Sequence, residues 1–327
     1  MSGDLSVDVR RSRRRKSLAA LDRLGVWVAL ALLIVVASAL SPYFFSLNNF
    51  LNILNQASVV GVAAVGLTLV MITGGVDLSV GSVISLSADI CATVMNGSDA
   101  RIGLAVALSV AAGAAVGFVN GVLVAKRNLP SFILTLGSAV AVQGLGLLYT
   151  GGTASGAVAP WFQNTIGGRP WAHIPGVVPV LLAVAAIGLL IQETTALGSR
   201  LYLVGSNIRA AYLSGVAVDR VLILAYTLSG LTAGIAGVVL LARVGVSSAF
   251  AGQTYTFDAL AAVLLGGTTF QGGRGGILGT LAGVLILVVA FNLVNILGLN
   301  FNLQLVLKGV IIIIVAATLY RLVNRAA

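Results

Sequence analysis

Three ionisable side chains, Asp89, Asp258 and Lys308, stand inside apolar runs of the kind that cross membranes. Charge in hydrocarbon is expensive, so such residues mark ion relays, ligand counter-charges or buried ion pairs. Lys308 lies about one to two turns from the outer end of its helix, within reach of snorkelling outward or of pairing with Asp258. No second acidic cluster reaches the midplane, which favours a structural pair or a wet vestibule over a proton or sodium relay. The rest of the chemical repertoire is thin. His173 is the one histidine, so no H-E-x-x-H site and no His-rich metal cluster can form. No G-x-S-x-G elbow occurs, and no Gly-Lys dipeptide exists to build a Walker A loop. No catalytic residue, cofactor site or metal site is expected, and uphill work must draw on a partner or an ion gradient.

The segment Leu197 to Arg220, LGSRLYLVGSNIRAAYLSGVAVDR, is the most informative polar stretch. Ser206 or Asn207 can cap a helix, Ile208 to Ser214 reads as about two turns, and Gly215 suits the left-handed residue after the last turn. Ile208, Ala211, Tyr212 and Gly215 fall at i, i+3, i+4 and i+7, a small apolar face on a helix with no membrane of its own to span. That face either lies on lipid or is inserted into a partner protein.

The elements that must position these residues follow from composition. The chain has 327 residues, 58% hydrophobic and 9% charged, with a mean hydropathy of +1.07. Soluble domains carry about a quarter charged residues, so a water-soluble fold is excluded. Apolar runs bounded by Gly, Pro, Asn and charge predict an all-α polytopic membrane protein with ten helices, near 24–40, 51–73, 78–95, 102–125, 131–149, 176–191, 220–242, 257–270, 277–296 and 303–320. The eighth is weak: Gly266-Gly267 interrupts it, and it is expected to be tilted, broken or re-entrant. A basic tail (1–23), one transmembrane domain (24–320) and a short C-terminal tail (321–327) complete the layout.

The net charge of +10 invites a nucleic-acid reading, but its distribution argues for orientation instead. With ten spans and both termini cytoplasmic, 15 of the 19 Lys and Arg fall on the inner side, and only Arg101, Arg169 and Arg243 fall outside. The tail then orients the first span or rests on anionic lipid. Residues 24–40 also carry an Ala37-Ser38-Ala39 cleavage pattern, yet the run exceeds a usual signal-peptide core, and an anchor is the favoured reading. Cys91 has no second cysteine to pair with.

All six prolines fall in outer loops or first helical turns, where no helix hydrogen bond is lost. Gly113, Gly117 and Gly121, and again Gly275, Gly279 and Gly283, form G-x-x-x-G-x-x-x-G runs whose flat faces admit close helix approach. The fourth and ninth helices are expected to contact each other or close neighbours through them.

Three motifs carry a family resemblance. Thr73-Gly74-Gly75-Val76-Asp77-Leu78-Ser79-Val80-Gly81-Ser82 resembles the T-G-G-I-D-L-S-V-G-S signature of ribose-type ABC transporter permeases. Gly205-Ser206-Asn207, Ala210-Ala211 and Ser214-Gly215 resemble that family's cytoplasmic loop, and Asp258-Ala259, Ala262 to Thr268, Gly272-Gly273 and Gly279-Thr280 resemble its third block. The order and spacing hold from about residue 40 to the C-terminus. The resemblance implies a permease of the type II importer kind in a bacterial cytoplasmic (inner) membrane. It also implies a second permease subunit, identical or paralogous, and ATPase subunits that bind ATP and Mg. An extracytoplasmic sugar-binding protein would deliver the substrate. Asn207 to Gly215, within a coupling segment 205–216 that Gly205 opens, is then the coupling helix that docks on the ATPase. Asp77, Asp258 and Lys308 match residue types of the family pattern. Asp89 does not: a small neutral residue is usual there, which implies a change in pore polarity or substrate.

Asn48, Asn52, Gln56, Asn120, Gln143 and Asn292 are candidates for hydroxyl-compatible pathway groups, or equally for helix-to-helix hydrogen bonds. Two functions remain in competition: an ATP-driven monosaccharide import permease, and a self-sufficient ion-coupled transporter using Asp89, Asp258 and Lys308.

Overall fold

The computed structural model describes residues 25–127, 129–170 and 174–298, together with 302, 303, 306, 309 and 310. The basic tail, His173, Lys308 and most of the expected tenth span lie outside the described residues.

The chain is a helical bundle built around one central helix, α2 (Leu47–Ile72). Ser46 caps it, accepting from the Asn49 amide at 3.3 Å, so it starts four residues earlier than its apolar run suggests. It is apolar all round, as a helix enclosed on every side must be, and Val59 to Ile72 are buried without a break. The other helices are α1 (Gly25–Leu40), α3 (Val80–Met95), α4 (Ile102–Arg127), α5 (Ser131–Thr150), α6 (Pro160–Phe162), α7 (Val177–Thr194), α8 (Ala196–Ser206), α9 (Ile208–Leu213), α10 (Val218–Val244), α11 (Gln253–Leu265) and α12 (Ile277–Ile296), of which α7, α8, α10, α11 and α12 pack on α2.

Six of the described helices are long and apolar enough to cross a membrane: α2, α4 with the 3₁₀ turn before it, α5, α7, α10 and α12. α1 and α3 are apolar but shorter. The eighth expected span, near 257–270, is the shorter helix α11 over 253–265: it has 13 residues, about 20 Å at 1.5 Å per residue against a ~30 Å core. Gly267, with φ +86°, stops it, and Thr268 to Gly276 continue as irregular chain. A correction is α8, an eleven-residue helix where a connection was expected, capped by Thr195 accepting from the Gly198 amide at 3.3 Å.

The two glycine runs seat different helices. Methyl groups at Gly113, Gly117 and Gly121 would collide with the backbone of α10 at Gly230, Tyr226 and Ile223, and those at Gly279 and Gly283 with α11 at Gly266 and Ala262. Gly275 precedes α12, in the irregular segment, with φ +105°.

Candidate functional site

Between α2 and α3 the backbone leaves the helix for seven residues, Thr73 to Ser79, and Gly74 makes the reversal with φ +81°. Thr73, Asp77 and Ser79 are nevertheless buried. Non-helical backbone at such depth survives only where neighbours supply its hydrogen bonds, and here they come from every side. The Val76 amide donates to Ser131 Oγ (3.2 Å) and the Leu78 amide to Thr135 Oγ1 (3.1 Å), both on α5. Tyr226 on α10 donates its hydroxyl to the Val76 carbonyl (3.2 Å), and the Gly81 amide donates to Thr256 Oγ1 on α11 (2.9 Å).

Asp77 is the centre of this knot. Its Oδ1 accepts from the Ser79 amide (3.0 Å) and the Ser79 hydroxyl (2.6 Å), and its Oδ2 accepts from Ser229 Oγ on α10 (2.8 Å). Ser79 Oγ in turn accepts from Asn120 Nδ2 on α4 (3.0 Å). The chain Asn120, Ser79, Asp77, Ser229 therefore ties α4 to α10 through the turn.

The turn also meets the third motif block and the polar corner. The Gly273 amide donates to the Ile72 carbonyl (2.8 Å), the carbonyl that ends α2. Gly205, expected to open the coupling helix, instead sits in the last turn of α8, packed so closely on Ile72 O and the Gly273 amide that no side chain fits. Tyr202, one turn earlier on α8, donates to the Gly275 carbonyl (2.8 Å).

At Asn207 the chain turns sharply into α9. Asn207 Oδ1 accepts from the Ala210 amide (2.9 Å), and Gly215 follows the helix with φ +78°. The apolar face differs from its expected form: Ala211 turns inward, joining Val204, Val221, Tyr226 and Ile72 in one buried cluster. Ile208, Tyr212 and Leu213 point outward, Tyr212 72% and Leu213 79% exposed. Ala210, Ser214 and Gly215 are exposed as well. One side of α9 is thus fixed to the bundle while the other side is bare.

The intramembrane acids lie on α3 and α11. Asp258 is buried on α11, one turn after Tyr255, whose hydroxyl accepts from Arg243 Nη1 (3.4 Å). Asp89 is buried on α3. Of the polar candidates, Asn120 serves the knot, Gln143 donates to the Ala249 carbonyl (2.7 Å), and Asn292 donates to Asn49 Oδ1 (2.7 Å). Asn48 and Asn52 line an open recess of about 440 Å³ beside Arg169. No group of three or more His, Cys, Asp or Glu side chains able to hold a metal ion occurs among the described residues.

Residues 49–316 match the family described as branched-chain amino acid transport system / permease component. The chain belongs to this permease family. Among its relatives, the ribose import permease of Escherichia coli (strain K12) is 40% identical over 294 residues, covering 88% of this chain and 90% of that protein. The ribose import permease of Bacillus subtilis (strain 168) is 39% identical, covering 90% and 91%. The fructose import permease of Rhizobium meliloti is 37% identical, covering 87% and 81%. No solved structure matches. The chain is a multi-pass inner-membrane permease subunit, a transport component and not an enzyme.

Sequence reasoning found the knot's motifs but missed Ser229, Tyr226, Ser131 and Thr135, which complete it. Only their polar character inside apolar helices marked them.

Proposed function

We propose that this permease forms the translocation pathway of an ATP-driven importer for a monosaccharide of the ribose type. The observation that carries the reading is the 40% identity to a ribose import permease across nine-tenths of that protein. Two permease subunits, this chain and a copy or paralogue, enclose the pathway. Separate ATPase subunits bind ATP and Mg, and an extracytoplasmic sugar-binding protein delivers the substrate. Both termini lie in the cytoplasm, in keeping with the retained positive charge.

In this reading Asn207 to Gly215 is the coupling helix. Its bare side, Ile208, Tyr212 and Leu213, enters a groove of the ATPase, an apolar face taken up by a partner. Its fixed side, Ala211, moves the apolar cluster that holds the end of α2. A displacement of α9 by nucleotide-driven ATPase closure therefore reaches the α2–α3 turn through α8, whose Gly205 abuts the Ile72 carbonyl. Such transmission needs a rigid element with two positions, biased at one end by nucleotide.

Co-purification and reconstitution test this. Tyr212→Asp with Leu213→Asp, at exposed positions, is expected to leave the permease folded while the ATPase no longer co-purifies and ATP-driven uptake falls at least tenfold. Uptake by the isolated permease without any ATPase would sink the reading and favour ion coupling.

A further inference from the structure

Asp89 is a buried acid outside the knot. It is fully buried on α3, and neither carboxylate oxygen has a hydrogen-bond donor among the described residues. Ser247 is near enough to act on it, but the Ser247 hydroxyl donates to the Ser155 carbonyl at 3.0 Å. On α5, Gln143 is held by its Nε2, which donates to the Ala249 carbonyl, and its Oε1 is buried without a donor. The amide cannot turn over, because that would set its oxygen against a carbonyl. Three acceptor oxygens thus lack donors, in a place where unpaired polar groups are costly.

Beside them the closed structure has space for one methyl group in ordinary contact. Gly146 follows Gln143 by three residues on the same face of α5. A methyl group added there would meet Asp89 Oδ2 only at 3.8 Å and Leu86 Cδ1 at 4.0 Å. The surrounding cover is irregular chain, residues 151–159 and 245–252, rather than helix. It is pinned by the Ser247 and Gln143 bonds and by the Gly252 amide donating to Ser85 Oγ (2.9 Å), one turn before Asp89. The Ser155 amide also donates to Ser247 Oγ (3.3 Å), Thr93 Oγ1 and Ser155 Oγ share a bond (3.0 Å), and the Gly97 amide donates to the Ala157 carbonyl (2.8 Å); a station on a transport route requires that these loop contacts part.

An acceptor-only lining calls for a donor-rich guest. We propose that Asp89 and Gln143 form a station for the hydroxyl groups of the transported sugar, a specificity-determining pair closed over in this structure. Sugar hydroxyls supply the donors that these oxygens lack. The proposal rests on the sugar-import reading above.

The test uses the complete transporter in proteoliposomes, with ATP-driven uptake of D-ribose and D-fructose measured beside their monodeoxy analogues. Absence of ATP-driven uptake of either sugar by the wild type overturns the parent reading and this proposal with it. Where the wild type transports, Asp89→Ala is expected to lower subsaturating uptake of the parent sugar about tenfold or more, the scale of a lost charged hydrogen bond. The loss should be much smaller for the analogue lacking the contacted hydroxyl. Gly146→Ala, which favours the helix, should assemble normally and reduce uptake several-fold by narrowing the space. Wild-type uptake in both variants overturns the proposal. So does an equal loss for every analogue, or a loss that follows sodium or proton concentration whatever the sugar.

Discussion

Asp77 concentrates the cost of an irregular turn inside a helical bundle. Three donors converge on it, from the Ser79 amide, the Ser79 hydroxyl and the Ser229 hydroxyl. Removing the carboxylate strands all three in a place without water. Asp77→Ala is expected to destabilise the permease by on the order of 2 to 3 kcal/mol, read as a lower midpoint of thermal unfolding in detergent. Asp77→Asn should cost less, because an amide oxygen still accepts from Ser79. At this scale the sequence was partly legible: a motif of short polar and glycine residues announced the turn. Its partners were not, since a lone Ser229 or Tyr226 in an apolar helix carries no sign of what it faces across the bundle.

Among the elements, the glycine runs decide which helices touch. Backbone meets backbone where α4 crosses α10, with Gly113 and Gly117 of one against Gly230 of the other, so there is no flexible side chain to yield. Gly117→Leu is therefore expected to force the two helices apart and abolish assembly with the ATPase, measured by size-exclusion chromatography, whereas Gly103→Leu at an open position on the same helix should not. The runs themselves are plain in the sequence, but not their partners, because a flat face fits any other flat face. The missed α8 has a different cause. Gly198, Ser199 and Arg200 dilute its hydropathy, while the face that matters, Leu201 and Val204, repeats too briefly to stand out. At α11 the signal was plain, because Gly266-Gly267 marks the interruption in the sequence and the helix ends there at Leu265.

For the whole molecule, position along the bundle separates two kinds of work. The α8–α9 corner, the end of α2 and the Asp77 knot are continuous through one buried apolar cluster. The Asp89 station lies further along α3 and is enclosed by different loops. In the proposed reading, force enters at one place and selectivity is exercised at another. The all-helical, multi-span class was readable because apolar length sets helix positions within a few residues. The meeting of segments distant in the sequence was not, because hydrophobic runs say where helices are and not which of them are neighbours.

The bond from the Gly273 amide to the Ile72 carbonyl, with that from Gly81 to Thr256, has a consequence for synthesis. The early turn is finished by residues made some two hundred positions later. Until α11 emerges from the ribosome, the first helices enter the bilayer with polar backbone still unanswered, and their final arrangement must wait. A chain stopped after residue 250 is therefore expected to insert and yet be degraded within minutes in a pulse-chase experiment. Supplying residues 251–327 as a separate polypeptide should prolong its life.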